Sequence, residues 1–110
     1  VVKDVVTVKG LLTVEPGAKI ELLDPGVIVC EGGVAINGVG QNIEFYGKAK
    51  QEGVGLIIKN TDSTSVNIVG ASFKYLQMPL FFDFGWKRNS VNISDITLLE
   101  TRVPYPLFRC

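Results

Sequence analysis

Apolar residues along this chain alternate with polar ones in short runs: Val6/Val8, Ile20/Leu22, Leu56/Ile58, Val66/Ile68 and Val91/Ile93. A period of two places such residues on one face of a β-strand, and the β-branched and aromatic content of the runs favours the same conformation. Helical periodicity is weak throughout. Between the runs stand Pro16-Gly17, Pro25-Gly26, Gly32-Gly33, Gly38-Val39-Gly40 and Asn60-Thr61-Asp62-Ser63-Thr64. These are turn-forming sequences, about every 8 to 10 residues. Both Pro-Gly pairs suit type II turns, with proline fixing φ and glycine accepting φ > 0.

The runs recur. Asn42, Asn67 and Asn92 stand 25 residues apart (42+25=67, 67+25=92) and each precedes an isoleucine. The last two open a longer match, Val66–Phe73 over Val91–Leu98. Shifts of 23 and 22 lay Ile20-Glu21-Leu22 over Ile43-Glu44-Phe45 and Thr13-Val14 over Ala35-Ile36. A drifting period of 22–25 is the mark of a solenoid whose turns vary while its strands keep register. A hairpin sandwich needs no such recurrence. The expected architecture is all-β: a parallel solenoid of four to five coils, at roughly 5–26, 27–52, 53–77, 78–102 and 103–110. Stacked about 4.8 Å apart, Ile43, Ile68 and Ile93 would form one inward column, with Val66 over Val91 and Phe73 over Leu98. Parity flips at Gly70 and Asp95, which marks a corner inside each coil. The asparagines would form a structural ladder, their amides bonding from coil to coil.

Leu12-Thr13-Val14-Glu15-Pro16-Gly17-Ala18-Lys19-Ile20-Glu21-Leu22, Ile43-Glu44-Phe45 and Gly53-Val54-Gly55-Leu56-Ile57-Ile58 together resemble the right-handed parallel β-helix repeat proteins of the pectin-lyase-like superfamily. The likeness spans about residues 5–102 and is closest to non-catalytic surface and secreted proteins of bacteria. It implies an extracellular or cell-surface location in a bacterial envelope. Family members that cleave acidic polysaccharides use clustered aspartates and a nearby basic residue. Here Asp62, Asp83, Asp95 and Glu100 scatter over the repeat, so no catalytic motif carries over.

Composition narrows the chemistry. The 110 residues contain 11 basic and 11 acidic side chains, giving zero formal charge, so no field draws the chain to nucleic acid. No apolar run approaches a membrane span. Histidine is absent, which removes the commonest general base and metal ligand. No cofactor or metal is expected. Cys30, after Val27-Ile28-Val29, reads as a core residue. A bridge to Cys110 would cross roughly 14 Å of stacked coils, beyond disulfide reach.

The aromatic-rich segment Phe81–Asn89 supplies the candidate binding residues. Trp86, Lys87 and Arg88, with Asp83, would stack on a sugar ring or anchor a protein. Neither end of the solenoid reads as capped. The C-terminal run 103–110 starts a further coil, so further coils of a longer polypeptide or a partner protein are expected to cover that end. The expected role is a non-catalytic scaffold or adhesin-like module. The alternatives are a carbohydrate-binding or polysaccharide-degrading β-helix with catalytic coils elsewhere, and a subunit of a larger envelope or secretion assembly.

Overall fold

The alternating runs form strands β1 (Val5–Val8), β2 (Leu12–Val14), β3 (Lys19–Glu21), β4 (Val27–Cys30), β5 (Val34–Asn37) and β6 (Ile43–Tyr46). Then follow β7 (Gly55–Lys59), β8 (Ser65–Lys74), β9 (Leu80–Asp83), β10 (Ser90–Leu99) and β11 (Leu107–Arg109). The computed structural model describes residues 2–48, 53–59, 65–83, 90–103, 105 and 107–109. Every strand pairing among them is parallel, and no helix occurs among them. One sheet runs β1-β4-β7-β9-β11; the other runs β2-β5-β8-β6-β3, with β10 along β8. The chain is a parallel β-solenoid.

The second sheet has two arms. β2 and β5 stack on the first half of β8, and β3 and β6 stack on its second half. In the early coils a loop separates the arms. At 15–18 it is a type II turn in which Gly17 has φ +82° and Ala18 N–H donates to the Glu15 carbonyl at 3.2 Å. At 38–42 the loop opens with Val39 N–H bonded to Asn37 Oδ1 at 3.1 Å. In β8 and β10 a single left-handed residue replaces the loop: Gly70 (φ +68°) and Asp95 (φ +56°). That residue flips parity, so Val66, Ile68, Ala71 and Phe73 are all buried and the corner read from the sequence is present. The Pro25-Gly26 turn differs from its expected type II form. It contains a cis Asp24–Pro25 bond, and Gly26 N–H donates to the Leu23 carbonyl.

Inward residues stack in columns. The first sheet contributes Val6–Ile28–Leu56–Leu80 and Val8–Cys30–Ile58–Phe82. The arms contribute Val14–Ile36–Ile68–Ile93 and Ile20–Phe45–Phe73–Leu98. In the last column the Phe45 and Phe73 rings stack at 5.0 Å, 8° from parallel, which is the coil spacing expressed in aromatic packing.

Three expectations are corrected here. Ile43 does not join Ile68 and Ile93. It stacks on Ala71 and Ile96, while Ile36 completes the Ile68 column. Asn92 Nδ2 donates to Asn67 Oδ1 at 3.2 Å, but Asn42 bonds Ser72 Oγ at 2.9 Å instead. The ladder therefore has two rungs, not three. The third correction is the coil number. The offset is 22 from β1 to β4 (27−5) and 25 from β3 to β6 (44−19), but it grows to 28 from β4 to β7 (55−27) and 32 from β5 to β8 (66−34). Eight residues separate β6 from β7 where five separate β3 from β4, and five separate β7 from β8 where three separate β4 from β5. The solenoid amounts to about three turns rather than four to five, with its buried core running from Leu22 to Phe82.

The outermost strands are less covered. Val5, Val6 and Leu11 at one end, and Val91 and Leu99 on β10, are exposed. The C-terminal run does start another rung: Val103 N–H bonds the Gln77 carbonyl, and β11 pairs with β9.

Ile68→Asp places an unpaired charge in a fully buried column and should cost about 3–5 kcal/mol. Thermal or urea denaturation should show a domain at or past the edge of folding. Gly70→Ala must hold φ +68° with a Cβ 2.8 Å from the Gly38 backbone, and should cost about 1–3 kcal/mol. Asp95→Gly, at the exposed counterpart corner, should be neutral or stabilising in the same assay.

Candidate functional site

Outward positions of the second arm form two rows across the coils. One runs Lys19–Glu44–Ser72–Thr97 and the other Glu21–Tyr46–Lys74–Leu99. Parallel pairing sets the spacing along each row at about 4.8 Å, and the strand rise separates the rows by about 6.6 Å. A side-chain lattice of this kind is rigid, because every Cα in it belongs to a hydrogen-bonded strand.

The rows enclose an open-sided groove of about 410 Å³, lined by Lys19, Glu44, Phe45, Tyr46, Gly47, Ser72, Lys74, Tyr75 and Leu99. Its size is that of a small-ligand site. Charge alternates along it. Among the described residues no ion pair joins Lys19, Glu44 and Lys74. The Ser72 hydroxyl is held by Asn42 from the facing corner. Lys74 Nζ lies 5.0 Å from the centroid of the Tyr75 ring, a cation–π contact.

Tyr75 forms one wall, with an unusual backbone. It sits at φ +58° directly after β8. The equivalent place one coil earlier is Gly47, where a Cβ would meet the Tyr75 carbonyl oxygen at 2.5 Å. A left-handed conformation costs a bulky L-residue about 1–2 kcal/mol. One coil on, Glu100 takes the same conformation (φ +52°), so the left-handed turn recurs at this corner, and the Tyr75 side chain borders the groove.

The residues singled out from sequence do not assemble into this site. Asp83 is half-buried on β9, in register with Lys59 and Arg109 on the other sheet. Trp86, Lys87 and Arg88 lie outside the described residues, as do Asp62-Ser63-Thr64 and Cys110. Asn67 and Asn92 are exposed on the first arm and bonded to each other, while Asn42 supports Ser72. The groove residues escaped notice because their proximity depends on offsets of 25 and 28 (44−19, 72−44), which a single repeat length does not reveal. The available signal was the Glu-Phe-Tyr and Ser-Phe-Lys-Tyr alternation after each corner.

Among the described residues no group of three or more acidic or cysteine side chains is placed to hold a metal ion. Among the described residues no helix is long and apolar enough to cross a membrane. Cys30 is a free, fully buried thiol. Burial pushes its pKa from 9.0 up to about 12, because the thiolate would lose its hydration.

A thiol that ionises later in the folded than in the unfolded chain favours folding below the unfolded pKa. That contribution declines as pH rises from about 9 towards 12, where only the unfolded state releases the proton. Urea titrations across this range should therefore show wild-type stability falling more steeply than that of Cys30→Ala. Parallel slopes would mean that Cys30 is not in the core.

No family model, curated protein or solved structure matches this chain.

Proposed function

We propose that the chain is a right-handed β-helix module of the pectin-lyase-like kind, from a secreted or cell-surface bacterial protein, and that it presents a non-catalytic binding face. Right-handedness follows from the strong chirality of parallel crossover connections. The surface role rests on the resemblance of the Pro-Gly-punctuated coils to secreted β-helix proteins. The module acts as a rigid, adhesin-like scaffold on which side chains are held at fixed spacing.

One observation carries the reading: among the described residues that line the groove on the second arm, Glu44 is the single carboxylate, beside two lysines and two tyrosines. Glycoside hydrolysis by the usual route requires two carboxylates flanking the scissile bond. A lone carboxylate with aromatic walls and hydrogen-bonding groups is suited to holding a ligand without cleaving it. The electrostatic balance of the chain, 11 against 11, fits a partner recognised by shape and hydrogen bonds rather than by long-range attraction.

Incubated with polygalacturonate, alginate and other uronic-acid polymers, the purified chain should leave polymer length unchanged, as measured by size-exclusion chromatography. Reproducible cleavage that disappears in Glu44→Gln would replace the binding module with an enzyme.

A further inference from the structure

The first sheet carries two outward columns, between the inward ones of β1, β4, β7 and β9. One is Thr7–Val29–Ile57–Phe81, apolar from its second rung on. Val29, Ile57 and Phe81 are each half-buried. The other column stands one pleat further along the strands. Lys9 and Glu31 follow Val8 and Cys30, and the Glu31 N–H donates to the Val8 carbonyl at 2.9 Å. Lys59, Asp83 and Arg109 hold the same place on the later coils. The column therefore reads plus, minus, plus, minus, plus, with one charge per rung of about 4.8 Å.

Such a column is complementary to a copy of itself, but only in one phase. A two-fold axis parallel to the strands brings two copies face to face, with strand direction kept and rung order reversed. With that axis between β4 and β7, β1 faces the partner's β9 and β4 faces the partner's β7. Every charge then meets its opposite: Lys9 faces the partner's Asp83, and Glu31 faces the partner's Lys59. In the apolar column Val29 faces the partner's Ile57, and Thr7 the partner's Phe81. Moving the axis half a rung, onto β7, would set Lys9 against Arg109 and Glu31 against Asp83, like against like. End-to-end stacking of copies fares no better, because it continues the column from Arg109 of one copy to Lys9 of the next.

Magnitudes set the strength of this pairing. The overlap covers about 19 Å across four strands and about 13 Å along them, or roughly 250 Å² of each copy. A stable complex buries about 800 Å² per partner, so the pair is weak and reversible. Exposed ion pairs contribute little individually. Their part is to select the arrangement, since every other phase brings like charges together. The apolar column supplies the contact from which water is excluded.

We propose that two copies of this chain pair side by side through the outward face of the first sheet, about a two-fold axis between β4 and β7. Val29, Ile57 and Phe81 form the contact and the alternating column sets its register. The groove lies on the second sheet, so both copies keep it, and the pairing stands whether or not that groove takes a ligand.

The test is sedimentation velocity on the full chain, from about 10 μM to about 1 mM at low salt. The wild type should pass from monomer to dimer and no further, and sodium chloride should weaken the dimer by screening its charge pairs. Glu31→Lys and Lys59→Glu each set like charges across the axis, and each alone should raise the dissociation constant about tenfold or more. Mixed in equal amounts, the two variants again oppose every charge and should form a heterodimer. Unfolding cannot imitate that rescue, and thermal melts establish that each variant is folded. Ile57→Thr keeps a β-branched residue in the strand and should weaken the dimer at every salt concentration. A wild type that stays monomeric to the highest concentration would overturn the proposal. So would single variants that pair like the wild type, or a mixture of folded variants that stays monomeric. Growth beyond the dimer would overturn it too, since a two-fold contact closes on itself and open-ended growth needs another interface.

Discussion

A parallel solenoid stands or falls on one requirement: each coil must return to the same place one strand spacing further along, with its side chains in the same phase. The inward columns satisfy it. Val14, Ile36, Ile68 and Ile93 occupy four successive rungs although the chain between them varies in length by 10 residues (22 from Val14 to Ile36, 32 from Ile36 to Ile68). Hydrogen bonds between parallel strands are evenly spaced, and a one-residue slip would turn every buried side chain out to solvent. Register is therefore protected by the core, while length is absorbed where no core depends on it.

The corners show how. A strand that must bend around the core cannot keep strict alternation, because the residue at the bend would face the wrong way. Loops of several residues solve this at 15–18 and 38–42, and one left-handed residue solves it at Gly70 and Asp95. Gly70 has little choice of residue type, since any Cβ would press on the Gly38 backbone at 2.8 Å. Asp95 is exposed on the final rung of this sheet, and aspartate is among the few residues that enter the left-handed region at modest cost.

This division explains what could be read from the sequence. Alternation reports strands directly, and β8 and β10 share one offset over ten residues, so their pairing, corner and asparagine contact were legible. Thr13-Val14 over Ala35-Ile36 was legible for the same reason. The Asn42-Ile43 match was a coincidence of spacing. That pair follows a corner and Asn67-Ile68 precedes one, so the same dipeptide lies on different arms. A shift of 23 for Ile20 likewise failed because the corner loop adds residues to one arm and not the other; the true offset there is 25 (45−20). Loop length is set by surface geometry rather than by apolar periodicity, and periodicity holds no record of it. The groove was hidden for that reason, since it exists only once the offsets of three coils are known. The aromatic-rich stretch around Trp86 drew attention because local composition is visible in one stretch, whereas Tyr46, Lys74 and Leu99 become neighbours only through stacking.

The groove also shows how a fold built from repetition acquires a site. Repeated coils favour repeated residues, and a surface of identical rungs would present a uniform strip with no preferred point of contact. Specificity requires the rows to change from rung to rung while the columns beneath them do not. On the second arm the inward column remains apolar, Ile20–Phe45–Phe73–Leu98, while the outward rows pass from Lys to Glu to Ser and from Glu to Tyr to Lys. Period two lets this happen without conflict, because alternate residues answer to different surroundings. The corner is different. Tyr75 occupies a position governed by backbone geometry and by the groove at once, and its side chain is not the one that the backbone would favour. The strand that leads to it is anchored by Phe73, fully buried and stacked on Phe45, and Glu100 repeats the left-handed turn one coil on.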